Sequence, residues 1–117
     1  MLTIDGVDGA LAGMSYDGTA RVLGTKLYMP EASPEVVSAA VASAFEQMWH
    51  ISPVRPVQLW IVVVDAAKPD DASLTDRDGI PLDEVADRLG FDYYGTSHTV
   101  FAQADALEAT FGPWAGD

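Results

Sequence analysis

The chain contains no cysteine, and only 6 of its 117 residues are lysine or arginine. Without cysteine there is no disulfide framework, no thiolate zinc site and no cysteine nucleophile. Because 18 acidic residues face those 6 bases, the net charge is −12, which repels nucleic-acid phosphates and anionic membranes. We therefore expect no nucleic-acid partner and no membrane partner, and the charge favours cations or basic protein surfaces.

Long hydrophobic runs are also missing. The longest, Leu59 to Val64, is far too short to span a bilayer, and the first residues lack the basic and apolar regions of a signal peptide. These absences predict a cytoplasmic protein. The length, with 49% hydrophobic residues, predicts one acidic domain over residues 1–117 that can bury a core.

Local patterns in the first half of the chain predict two strands, a helix and a third strand. Asp17-Gly18 is a turn signal that would close a hairpin between residues 11–16 and 19–29. Ser33 and Pro34 then open a helix to residue 50 with an apolar stripe at helical spacing. Residues 57–65 are apolar and rich in β-branched side chains, which predicts a central strand. The intervening helix fits a parallel crossover between the second and third strands.

The second half predicts a polar loop over 66–79 and then a short helix between Pro81 and Gly90. A strand over 96–102 and a helix over 104–110 follow. We expect an α+β fold, a small two-layer sandwich in which a mixed sheet of three to four strands packs against two to three helices.

Asp65 and His98 define a possible ligand cleft. Asp65 would lie at the carboxyl end of the central strand, where open α/β sheets place ligands, and His98 is the more convincing general base of the two histidines. Ser97 would point away from its neighbour His98 on a strand, so the pair does not form a nucleophile and its base. We assign no catalytic residue.

Metal and cofactor motifs are incomplete. The strand ending at Asp65 lacks the glycine-rich phosphate loop that nucleotide hydrolases need. Around Gly79, a calcium-loop alignment puts Leu74 and Val85 at the first and last ligand positions, where carboxylates belong. We therefore predict no metal site and no cofactor.

The densest acid lies between residues 65 and 92, where nine acids face three bases, so this stretch carries −6 of the −12. Tyrosines are enriched at protein interfaces, and two of them directly follow this acidic stretch. An acidic and aromatic contact face for a basic protein partner is therefore predicted. Its residues are Asp70, Asp71, Asp76, Asp78, Tyr93 and Tyr94.

In composition, the small acidic chain without a catalytic constellation is similar to bacterial immunity and inhibitor proteins. That resemblance implies a non-enzymatic module that binds a basic partner, which is our leading hypothesis. The second hypothesis is a small-ligand-binding protein or enzyme that uses the cleft near Asp65 and His98. The third is a structural component of a phage or secretion assembly, and the alanine and aspartate usage suits a bacterial or phage protein. The oligomeric state stays open.

Overall fold

The computed structural model describes residues 7–17, 20–31, 33–51, 56–70, 79–95 and 98–114. Within them the chain forms β1 (Gly9–Asp17), β2 (Ala20–Tyr28), α1 (Pro34–Ile51), β3 (Gln58–Val64), α2 (Asp83–Leu89), β4 (Asp92–Tyr94), β5 (Thr99–Gln103) and α3 (Ala104–Phe111). The strands make one sheet in the order β1-β2-β3-β5-β4. The predicted α+β sandwich with a mixed sheet is confirmed.

The sheet is mixed because one of its strand pairs is parallel. β1 and β2 form the predicted antiparallel hairpin, whereas β2 and β3 run parallel and are connected through α1. β5 pairs antiparallel with β3 on the other side, and β4 pairs antiparallel with β5. β3 is therefore the central strand, which agrees with its apolar sequence.

The described ranges contain five strands where three to four were expected, and β4 is the additional one. It has three residues, too few for an alternating pattern to stand out in the sequence. β5 also begins later than predicted, at Thr99, because His98 has a φ of 51° and interrupts the extended backbone. The predicted strand start at residues 96 and 97 lies outside the described residues.

All three helices pack on one face of the sheet. Between the sheet and the helices lies the hydrophobic core, in which alternate strand residues such as Leu59, Ile61 and Val63 pack with the apolar stripe of α1. The stripe predicted from spacing is buried as expected: Val37, Val41, Ala44, Phe45 and Met48 are at most 4% exposed. This burial supplies most of the driving force for folding, at roughly 25 cal/mol per Å² of apolar surface.

The remaining side chains of each strand point to the opposite face of the sheet. On β3 it presents Trp60, and a side chain on Gly24 of the neighbouring strand would collide with that indole ring. The ring therefore lies across β2, in space that only a glycine leaves open. Along the next two strands, Phe101 stacks on Tyr94 with ring centroids 4.8 Å apart.

Candidate functional site

The parallel strands β2 and β3 end side by side, so the chain leaves both of them at the same end of the sheet. The Met29 N–H donates to the Val64 carbonyl at 2.8 Å, and the Glu31 N–H donates to Asp65 Oδ1 at 2.7 Å. Glu31 has a φ of 57°, a left-handed conformation that a residue with a side chain seldom adopts. The carboxylate of Asp65 thus holds the turn from β2 towards α1.

A groove of about 170 Å³ opens between the first turn of α1 and the segment that leads into α2. The chain returns to β3 at Ile80, whose N–H donates to the Val63 carbonyl at 2.8 Å. Three buried apolar side chains, Val37, Leu82 and Val85, take part in the lining, and Pro34 and Pro81 are its exposed apolar members. The fold therefore gives the groove an apolar floor.

The charges around this groove are negative. Asp83 and Glu84 line it from the first turn of α2, where the helix dipole favours carboxylates. Glu35 occupies the first turn of α1, next to Pro34, and is exposed. Among the described residues that line the groove, none carries a positive charge. We call this groove, with Asp83 and Glu84 at its rim, the acidic groove.

A tyrosine–histidine pair lies behind the groove. Tyr93 Oη is 2.8 Å from His98 Nδ1 and also accepts a hydrogen bond from the Leu82 N–H at 3.4 Å. When the hydroxyl donates to Nδ1, the proton of the neutral imidazole is on Nε2. His98 holds this position with a positive φ, so local backbone strain accompanies the pair. The hydroxyl connects the groove lining at Leu82 to the imidazole.

The two residues of the predicted cleft have different hydrogen-bond partners. Asp65 is exposed and holds the Glu31 backbone, whereas His98 is half-buried and holds Tyr93. His98 Cβ lies near Gly79, directly before the residue that bonds to β3, so both residues belong to the same end of the sheet. A cleft between them stays a prediction.

The predicted acidic and aromatic face is spread over the sheet. Asp70 is exposed and follows Lys68, which packs on Gly9 of the edge strand β1. Tyr94 is 60% exposed on β4, the opposite edge strand. Tyr93 points to the helical side, is half-buried and uses its hydroxyl internally. Asp71, Asp76 and Asp78 lie outside the described residues.

The sequence pattern did not single out the groove residues. Val37, Leu82 and Val85 fall on the apolar stripes of their helices, and a stripe indicates burial without showing where the burial is incomplete. The available signal was the pair of prolines, since Pro34 is the first residue of α1, Pro81 lies two residues before α2, and the first turn of each helix contains at least one acidic residue. Only the fold brings those two helix starts together.

Comparison with known protein families, curated proteins and solved structures gives no match for this chain. In the ranges that the structure describes, no three side chains of the metal-ligating types come together in a group that could hold an ion. None of the helices in those ranges has the length and apolar character needed to cross a bilayer.

Proposed function

We propose that this protein is a non-enzymatic binding module for a basic protein partner, and that the acidic groove is its contact site. The carrying observation is that the groove combines an apolar floor with two exposed acids, Asp83 and Glu84, in its lining. An apolar side chain of the partner would fill the groove while its lysines or arginines meet the rim. This binding would take place in the cytoplasm.

The charge distribution supports a basic partner in two ways. The net charge of −12 steers a cationic protein towards the molecule at long range. At short range, Asp83 and Glu84 are exposed on the rim, so they can pair with a cation without the desolvation cost of buried carboxylates. An inhibitor or immunity-type protein would act by covering a basic surface in this way.

Binding can be tested with a defined probe, a synthetic amphipathic helical peptide that has a leucine stripe and lysines on its flanks. Titration of the ¹⁵N-labelled protein should shift the amide signals of Val37, Leu82 and Val85 first. The double variant Asp83→Asn plus Glu84→Gln should bind the peptide about fivefold more weakly, because exposed charge pairs contribute about 0.2–1 kcal/mol each.

Two exposed acids that do not line the groove provide a matched control. Asp105 lies in the first turn of α3 and Glu46 on α1, both exposed, so Asp105→Asn plus Glu46→Gln removes the same charge elsewhere. The control variant should bind the peptide within about twofold of the wild type. Equal weakening by both double variants, or shifts spread evenly over the surface, would mean that only net charge matters and would refute the groove.

A second function, small-ligand binding or catalysis near His98, is favoured by one observation, the 2.8 Å contact between Tyr93 Oη and His98 Nδ1. When a tyrosine hydroxyl donates to Nδ1, a neutral histidine presents its Nε2–H to a ligand. Under this alternative, a fragment screen by NMR should give hits that shift the His98 ring protons, and the Tyr93→Phe variant should lose them. The peptide titration separates the two proposals, since under this alternative the peptide leaves the amide signals of Val37, Leu82 and Val85 unchanged.

A further inference from the structure

The segment that leads into α2 forms one wall of the acidic groove and is held by hydrogen bonds on both sides of Pro81. The Ile80 N–H donates to the Val63 carbonyl at 2.8 Å, and the Leu82 N–H donates to Tyr93 Oη at 3.4 Å. Pro81 itself has no N–H, and its ring fixes φ. This wall is therefore in place before a partner binds, and residues 80–82 leave no N–H free for a polar ligand.

The volume of the acidic groove indicates the size of the group that fills it. An apolar cavity of about 150 Å³ in another protein binds benzene, and the acidic groove has a volume of about 170 Å³ above its apolar floor. One phenyl ring therefore fits this space. The branched end of a leucine side chain is smaller than a phenyl ring, so it leaves part of the apolar floor uncovered.

The two prolines of the groove favour an aromatic ring over an aliphatic group. Pro34, the first residue of α1, and Pro81, two residues before α2, both line the groove and are exposed. Proline rings pack on aromatic side chains when proline-rich segments dock in aromatic-lined grooves. Here the prolines belong to the groove, so the matching aromatic ring belongs to the partner.

The carboxylates of the rim determine which charge can lie beside that ring. Asp83 and Glu84 are exposed, and among the described lining residues no positive charge balances them. The edge of an aromatic ring is partially positive, so it is compatible with a neighbouring carboxylate, and a cation next to the ring is attracted by both acids. An anion in the same place is repelled.

We propose that the acidic groove binds one phenyl ring of its partner together with a cation next to that ring, an inference that rests on the proposed function. In a protein partner the two groups are a phenylalanine and a neighbouring lysine or arginine. The ring covers the floor formed by Val37, Leu82 and Val85. The cation stays in water beside the exposed carboxylates of Asp83 and Glu84. The ring thus supplies the buried apolar surface, and the cation supplies the charge selectivity.

Three small probes test this preference on the full ¹⁵N-labelled chain. Phenethylamine has the ring and the cation, isoamylamine keeps the cation but ends like leucine, and hydrocinnamate keeps the ring with the opposite charge. Phenethylamine should shift the amide signals of Val37, Leu82 and Val85 with a Kd of about 1–10 mM. Isoamylamine should bind there at least about fivefold more weakly, because it buries less apolar surface. Hydrocinnamate should leave these signals unchanged at about 10 mM, because its carboxylate meets the acids of the rim.

Proline substitutions locate the ring. Pro34→Ala and Pro81→Ala each remove an exposed ring from the lining, so each should weaken phenethylamine binding at least about threefold. Pro69→Ala is the matched control, since Pro69 is exposed and does not line the groove. It should leave the affinity within about 1.5-fold of the wild type. Circular dichroism verifies that the three variants fold.

The lysine-flanked helical peptide tests whether a protein side chain supplies the ring. Replacing the central leucine of its stripe with phenylalanine should tighten its binding to the wild-type protein at least about threefold. An unchanged or lower affinity of the phenylalanine peptide would overturn the inference. So would isoamylamine that binds as tightly as phenethylamine, hydrocinnamate that shifts the same three signals, or equal effects of Pro81→Ala and Pro69→Ala.

The leucine peptide distinguishes failure of this inference from failure of the proposed function. If that peptide shifts the amide signals of Val37, Leu82 and Val85 while phenethylamine does not, the groove is a contact site whose anchor is not a phenyl ring. If neither probe shifts them, the proposed function and the inference both fail.

Discussion

Gly24 is the position at which a single methyl group tests the packing of the sheet most directly. The indole of Trp60 lies across this glycine, and a Cβ built on Gly24 would overlap the ring atoms of that indole. The backbone of β2 is extended at this point, so alanine fits the strand conformation itself. Any cost of Gly24→Ala must therefore arise from the collision with Trp60.

The expected magnitude follows from two opposing contributions. Overpacking that forces a side chain from its position costs about 1–3 kcal/mol, while alanine is favoured over glycine in a strand by about 0.5–1 kcal/mol. We expect Gly24→Ala to lower the free energy of unfolding by about 0.5–2 kcal/mol. Urea denaturation followed by circular dichroism measures this change.

The same substitution in a Trp60→Ala background isolates the cause. Without the indole, the alanine methyl group has room, and only its favourable strand propensity remains. Gly24→Ala should then be neutral or stabilising, which gives a coupling free energy of about 1–3 kcal/mol between the two positions. If Gly24→Ala destabilises both backgrounds equally, the close approach of Trp60 to β2 is not the reason for the glycine.

Two further predictions concern the end of the sheet near α2, and thermal or urea denaturation measures both. Tyr93→Phe removes the hydroxyl that accepts from the Leu82 N–H and contacts His98, so it should cost about 1–2 kcal/mol, whereas Tyr94→Phe should cost less than about 0.5. Equal costs would contradict an internal role of the Tyr93 hydroxyl. Gly90→Ala should cost about 1 kcal/mol because Gly90 ends α2 with a φ of 73°, while Gly95→Ala, which meets only an ordinary contact, should cost about half of that or less. A tolerated Gly90→Ala would mean that the helix end can change its conformation.

Much of the fold follows from local patterns in the chain. The apolar stripe from Val37 to Met48 predicted both α1 and its buried side, and the residues from Val57 to Asp65 predicted the central strand. Gly90 was expected to end α2, and it does so in the left-handed conformation. These elements were predictable because each rests on contacts with sequence neighbours or on a continuous pattern.

The features that were not predictable depend on pairs that are distant in the chain. β4 pairs only with β5 over three residues, and nothing in Asp92–Tyr94 indicates that partner. The acidic groove likewise joins Pro34 to Pro81, which are brought together by the return of the chain to β3 at Ile80. Of the residues predicted for the contact face, Tyr93 and Tyr94 were treated alike. Strand alternation separates them, because successive side chains point to opposite faces.

The single parallel pair at the centre of the sheet also orders the folding reaction. β1 and β2 are neighbours in sequence and can pair early, but β3 reaches β2 only after the chain has traversed α1. The entropy of closing that loop is lost before the β2–β3 hydrogen bonds form, and it is compensated when α1 docks its apolar stripe. Until then the hairpin offers an unpaired β2 edge to any other chain, so the docking of α1 governs both productive folding and the avoidance of intermolecular strand pairing.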